Sequence, residues 1–314
     1  MKILVLGAGG IGGLFGGRLA QAGADITFVV REKRKAQLAD QGLRIESPYG
    51  DATLHVNAKL QSELEPVYDL VLLTCKAYDL PAAIETIRPA MSAETAVLPL
   101  LNGLAHIELL NNEFGARNVI PGSARIQLTL TPDGVVKQLN DWQTITFGEQ
   151  DGAGSARVAA LKALFDKTPI EAKVSANIMR ELWMKLVHLS TVAGMTCLMR
   201  ANLGEIIRTP DGSALLKNFL QLNADIAANA GYKPDDAFMR NYNELFSQRD
   251  SLYEASMARD LEKGGPVESE QILGFMLRKC REAGLPDTLH AVAYTHIKAY
   301  EERRAAGRLR VSQG

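Results

Sequence analysis

Several things are scarce in this chain of 314 residues, and each absence narrows what it can do. Cysteine occurs three times, at Cys75, Cys197 and Cys280, far apart and in no C-x-x-C pair. Such a set neither staples a secreted fold nor clamps a metal. It reads as reduced, mostly buried thiols of a cytoplasmic protein. Excess charge is missing too: 35 basic against 36 acidic residues leave a net charge of -1, which gives no footprint for nucleic acid or an anionic membrane. No run of eighteen uncharged apolar residues occurs, so a membrane-spanning helix is not expected. The five histidines, His55, His106, His188, His290 and His296, are scattered without ligand spacing, so no metal site is expected. No G-x-S-x-G elbow marks a serine hydrolase. Internal repeats and low-complexity segments are also lacking. The chain is long enough for two domains with sizeable cores.

The stretch from Met1 to Arg31 organises the rest. Ile3 to Leu6 is a continuous apolar run, the pattern of a strand buried on both faces of a parallel sheet. Gly7-Ala8-Gly9-Gly10-Ile11-Gly12 follows as G-x-G-x-x-G, and a helical pattern comes next. The first glycine permits the tight turn, the second lets a pyrophosphate approach the backbone, and the third lets helix and strand pack closely. A lone fingerprint of this kind is weak, but here it sits between a clear strand and a clear helix, with a second strand over Asp25–Val30 behind it. Lys2 before apolar residues faintly resembles a signal peptide, yet the fingerprint has to stay in the fold. The end of the second strand selects the nucleotide. An acid there would bind the ribose hydroxyls of NAD; instead Arg31 stands there, with Lys33, Arg34 and Lys35 beyond it. A guanidinium suits the 2′-phosphate of NADP(H). The alternative is a solvated basic start to the next helix.

The first half continues as strands alternating with helices. Strands are expected at Leu43–Glu46 and Ala52–Val56 around a turn, then at Asp69–Thr74 followed by Cys75 and Lys76, then at Ala96–Leu100 followed by Leu101-Asn102-Gly103. A helix is expected from about Leu80 to Pro89 between them. Asn118–Leu130 and Val135–Phe147 read as a hairpin of two long strands, and Ala156–Asp166 as a helix before a last strand at Ile170–Lys173. This pattern gives an α/β class with a doubly wound, Rossmann-type sheet over residues 1–174. From 175 to 314 strand patterns vanish. Helical periods run through Ile178–Met199, Pro210–Ala230, Pro234–Phe246, Ser256–Lys263, Val267–Ala283 and Leu289–Arg304, punctuated by glycines, with a frayed tail after Arg304.

Five separated pieces then point one way: GAGGIG with Arg31; Cys75-Lys76; Asn102-Gly103; Glu181-Leu-Trp-Met-Lys185-Leu; and Ser256-Met257-x-x-Asp260 followed by Gly264-Gly265-Pro266-Val267-Glu268. In this order and spacing they resemble the ketopantoate reductase family, the 2-dehydropantoate 2-reductases, over nearly the whole chain. The resemblance implies a Rossmann domain followed by a helical domain similar to that of 6-phosphogluconate dehydrogenase. It implies NADPH-dependent reduction of a small-molecule 2-oxo acid, ketopantoate to pantoate in pantothenate biosynthesis. The helical half would carry substrate binding and, if the protein pairs as a homodimer, the dimer contact. Residue by residue, the resemblance makes Lys185 the catalytic lysine, which would polarise the ketone and deliver the proton. It places Glu268 beside Lys185 and the nicotinamide, Asn102 between nicotinamide ribose and substrate, Ser256 on the substrate carboxylate, and Lys76 on the cofactor side. Read without the family, Lys185 is a snorkelling lysine, Glu268 a first-turn glutamate, Asn102 a turn residue and Ser256 a helix hydroxyl.

The departures matter as much. The family carries an asparagine four residues after its lysine and often another four beyond; here stand Leu189 and Ala193. Their loss makes the pocket wall more apolar, and His188, Ser190 and Thr191 are expected to turn away from the Lys185 face unless the helix is rotated. Two alternatives follow: a paralogous reductase acting on a less polar 2-oxo acid, or a non-catalytic NADP(H)-binding sensor on the same fold.

Overall fold

Residue Lys2 begins the central strand of a five-stranded sheet in the computed structural model, which describes residues 1–309. From edge to edge the strands are Asn57–Lys59, Asp25–Val29, Lys2–Leu6, Leu70–Leu73 and Ala96–Pro99, and all run parallel. Ile3, Leu4 and Val5 and the whole of Leu70–Leu73 and Ala96–Pro99 are buried, so the unbroken apolar runs are those covered on both faces. The chain leaves Lys2–Leu6 toward Asp25–Val29 on one side and returns to Leu70–Leu73 on the other. The carboxyl end of the central strand is therefore the switch point, where such sheets bind ligands.

Two smaller sheets complete this part. The segments expected to form one long hairpin are each broken in two. Leu128–Leu130 pairs antiparallel with Val136–Gln138 in a four-stranded sheet with Leu43–Glu46 and Ala52–Leu54. Gly122–Arg125 instead pairs with Thr144–Phe147, beside Glu171–Val174, in a separate three-stranded sheet. The two segments do pair antiparallel with each other along both halves, as a hairpin requires, but the hairpin is divided between two sheets because its halves meet different neighbouring strands, Leu43–Glu46 and Glu171–Val174. A helix at Ala105–Phe114, not expected from the sequence, follows Asn102-Gly103. Phe15, from helix Gly10–Gln21, meets Phe165 edge-to-face at 6.3 Å in the apolar core.

The chain forms two compact units: Met1–Leu101 with His106–Met179, and Asn102–Ala105 with the chain from Arg180 onward. The second unit is helical as expected, with Gly212–Asn229, Asp236–Leu245, Ser256–Glu262 and Thr288–Ala305 close to the periods read from sequence, and a short extra helix at Leu203–Ile207. The helix expected over Val267–Ala283 opens later, with a π-helical turn at Glu270–Gly274 running into Phe275–Glu282, so Val267 and Glu268 stand ahead of it. The last helix ends at Ala305, and most of the expected frayed tail, from residue 310, lies outside the described residues. Helix Ile178–Met199 is long and apolar enough by length and composition to cross a membrane, yet 67% of its most apolar window is buried inside the protein. It packs as a core helix.

Candidate functional site

The glycine loop lies in the first unit. Gly7 adopts φ +86, and its N–H donates to the Val29 carbonyl at 2.9 Å, which ties the turn to the neighbouring strand. At Gly12 a Cβ would stand 2.3 Å from the Gly7 carbonyl oxygen and 2.6 Å from Thr74 Oγ1, so no side chain fits there. Gly9 caps helix Gly10–Gln21 without a side-chain hydrogen bond, and the first turn holds no acid. The orphan amides and the positive helix end are thus left to an external anion, and open space around Gly9 leaves room for one. This loop fits the pyrophosphate of a dinucleotide. Ala8 is buried, and Gly10 and Ile11 are half-buried in the same turn.

The basic cluster after the second strand divides by role. Arg34 is half-buried and donates from Nη2 to the Ala8 carbonyl at 2.8 Å and from Nη1 to the Gly134 carbonyl at 3.0 Å. Burial first, then the charge of Arg44, lowers its pKa. Arg34 therefore clamps the glycine loop from behind, a role no local sequence signal separates from that of its basic neighbours. Lys35 pairs with Glu63 at 2.5 Å. Arg31, the residue before helix Glu32–Gln41, and Lys33 are exposed. Among the described residues the Arg31 guanidinium has no hydrogen-bond or ion-pair partner. Lys76 is exposed just beyond strand Leu70–Leu73.

The second unit brings Asn102, Lys185 and Glu268 together. Asn102 Nδ2 donates to Glu268 Oε2 at 3.3 Å, and Glu268 is 8% exposed. Their alignment depends on Gly103, which takes φ +84 and presses against the π-helical turn: a Cβ there would stand 2.1 Å from the Gln271 carbonyl oxygen. The Gly264-Gly265 turn that precedes Glu268 in the chain is itself anchored, its carbonyls accepting from Arg304 Nε at 3.0 Å and Tyr300 Oη at 2.7 Å. Lys185 lies in the first half of helix Ile178–Met199. Burial lowers its pKa to about 8, while the charge of Glu268 acts in the opposite direction and keeps the ammonium from being lost. At neutral pH this gives an ammonium ready to give up its proton, beside a carboxylate that an amide anchors. Ser256 is exposed at the first turn of helix Ser256–Glu262 and makes no hydrogen bond to any of these three.

His188 differs from its expected orientation. It stands three residues after Lys185, on the same face of the helix, and the lysine charge adds to burial in holding its pKa down to about 4. Its Nε2 is 2.8 Å from the Tyr253 hydroxyl, and its ring stacks on Tyr242 at 4.4 Å. Ser190 and Thr191 do turn into the core, where both bond to Asn223. Leu189 is half-buried and Ala193 fully buried. No motif in the sequence points to His188 and Tyr253, because their partnership spans 65 residues.

Comparison with known proteins bears on the family of the chain. The family described as Ketopantoate reductase PanE/ApbA matches residues 3–152, and its C-terminal counterpart matches residues 177–301. The uncharacterized oxidoreductase YkpB of Bacillus subtilis is 30% identical over 97% of this chain and 100% of its own length. The 2-dehydropantoate 2-reductase of Halobacterium salinarum is 26% identical over 90% of this chain and 93% of its own. The crystal structure of 2-dehydropantoate 2-reductase from Methylococcus capsulatus superposes with a TM-score of 0.86 at 26% identity, covering 97% of this chain and 98% of that one. The glycine loop, the lysine–glutamate pair and both matched segments make this chain a member of the ketopantoate reductase family.

Proposed function

We propose that this protein reduces a 2-oxo acid to the 2-hydroxy acid with NADPH, a reading supported by the relatives from Halobacterium salinarum and Methylococcus capsulatus that are named 2-dehydropantoate 2-reductase. The observation that carries the reading is the trio of Asn102, Lys185 and Glu268, with the ammonium of Lys185 poised near pH 8 beside a buried carboxylate. A bound nicotinamide cofactor supplies the hydride. This chain's residues supply the rest. The glycine loop holds the pyrophosphate on its free amides, and the exposed Arg31 pairs with the 2′-phosphate. Lys185 Nζ donates a hydrogen bond to the ketone oxygen, stabilises the negative charge that develops there and delivers its proton. Glu268 keeps Lys185 charged, and Asn102 holds Glu268 in place. Ser256 takes the substrate carboxylate. The near-neutral charge and the separated, unbridged cysteines suit the cytoplasm.

The test is NADPH oxidation by the purified protein with a panel of 2-oxo acids that includes ketopantoate. Turnover with at least one of them is expected. Tight NADPH binding without turnover on any would replace the reductase with a sensor. A second reading within the enzyme class, a less polar substrate, is favoured by Leu189 and by the rings beside Lys185.

A further inference from the structure

Helix Asp236–Leu245 buries no residue completely, yet it places two aromatic rings side by side. Phe238 and Tyr242 lie 4.5 Å apart, Tyr242 stacks on His188 at 4.4 Å, and Tyr253 continues the row. The Tyr253 and His188 planes differ by 4°, and the hydroxyl is 2.8 Å from Nε2. That distance is shorter than the separation of about 3.5 Å between stacked carbon atoms. The two rings therefore lie edge to edge and make one flat surface, which Tyr242 supports from one side. Tyr253 is 42% exposed, so this surface is not consumed by the core.

Its position relative to the chemistry is fixed by helix geometry. His188 and Leu189 follow Lys185 by three and four residues, so all three share one face of helix Ile178–Met199. Tyr253 precedes Ser256 by three residues, and its bond to His188 ties the segment that carries Ser256 to this same face. The groups assigned to the ketone oxygen and the carboxylate thus flank a wall built from Tyr253, His188 and Leu189. The wall offers few polar atoms: the Tyr253 hydroxyl and Nε2 bond each other, and Nδ1 is buried away from the surface. A substrate hydroxyl would find there only the spare lone pair of the Tyr253 oxygen, whereas an aromatic ring would find a flat partner to lie on.

We propose that Tyr253, His188 and Leu189 form the side-chain subsite of the active centre, and that it takes an aryl-substituted 2-oxo acid of the phenylglyoxylate type. The inference rests on the reductase reading above. In the balanced step the ketone carbon gains hydride from NADPH and the ketone oxygen gains the Lys185 proton. The products are the 2-hydroxy acid and NADP⁺, with the carboxylate and the aryl group unchanged, and Lys185 is reprotonated from solvent.

The test compares kcat/KM for phenylglyoxylate, ketopantoate and pyruvate on the full chain, with titration of phenylglyoxylate onto the NADP⁺-loaded protein as a readout independent of turnover. Phenylglyoxylate is expected to exceed ketopantoate by about tenfold or more. Y253A should lose about tenfold for phenylglyoxylate, mainly in KM, while pyruvate changes little. Y253F, which keeps the ring and drops the hydroxyl, should retain most of the preference. A wild-type preference for ketopantoate over phenylglyoxylate overturns the inference and leaves the reductase reading standing. An equal loss for both acids in Y253A reduces Tyr253 to a structural residue and overturns it as well. Absence of turnover with every acid, and of phenylglyoxylate binding, ends both readings.

Discussion

Lys185 carries two opposed influences, burial that lowers its pKa and Glu268 that raises it, and their balance near 8 sets a measurable pH dependence. A proton donor works only while protonated. kcat/KM for reduction should therefore hold below pH 8 and fall as pH rises through it. Glu268→Gln removes the raising influence, so the falling limb should move to lower pH; a limb that stays in place would take Glu268 out of this role. Lys185→Ala should leave NADPH affinity nearly intact while kcat drops by roughly a hundredfold or more, the usual cost of losing a general acid and oxyanion partner. Arg31 is exposed and without a partner among the described residues, and in the proposed function it pairs with the 2′-phosphate of the cofactor. Arg31→Asp should raise KM for NADPH steeply and leave NADH unchanged or improved, and a wild-type protein that uses NADH equally well would count against the assignment.

At the scale of elements, the site depends on two places where backbone meets backbone. In one, the glycine loop is closed by the fit of Gly12 under Gly7 and held from behind by Arg34. In the other, Gly103 seats the Asn102 turn on the π-helical turn beyond Glu268. Such turns are found where a helix has to present groups out of register with its ordinary spacing. Gly103→Ala would combine a positive φ, costing about 1–3 kcal/mol, with a clash against the Gln271 carbonyl. The Asn102–Glu268 hydrogen bond should be the first to break. Thermal melting and steady-state kinetics check this: a lowered melting temperature with kcat reduced more than NADPH affinity is expected, and unchanged kcat would show that the turn does not align the trio.

On the scale of the whole molecule, His290 shows what full burial does to stability. It has no exposure, packs edge-on to Phe219 at 4.5 Å, and its pKa is held down to about 4 by burial, with Asp287 opposing. The unfolded chain takes up this proton near pH 6.5, the folded one only near 4. The stability His290 provides is therefore intact above pH 6.5 and is lost as pH falls toward 4, by up to about 3 kcal/mol. His290→Leu should melt with a shallower decline between pH 7 and 4.5 than the wild type, and parallel declines would refute the assignment. The parts of this protein legible in its sequence are those set by neighbours in the chain: the buried run Ile3–Leu6, the glycine spacing after it, and the periods of the later helices. Strand burial, turn geometry and helical face are local properties, and local residues determine them. The family motifs likewise named Lys185, Asn102 and Glu268. The tertiary structure alone decided which partner each segment found. It split residues 118–130 and 135–147 between two sheets, set Arg34 against Ala8, and joined Asn102 to Glu268 across 166 residues and His188 to Tyr253 across 65. Pairings at that separation are chosen by which surfaces meet when the chain packs, and no short stretch of sequence carries that information.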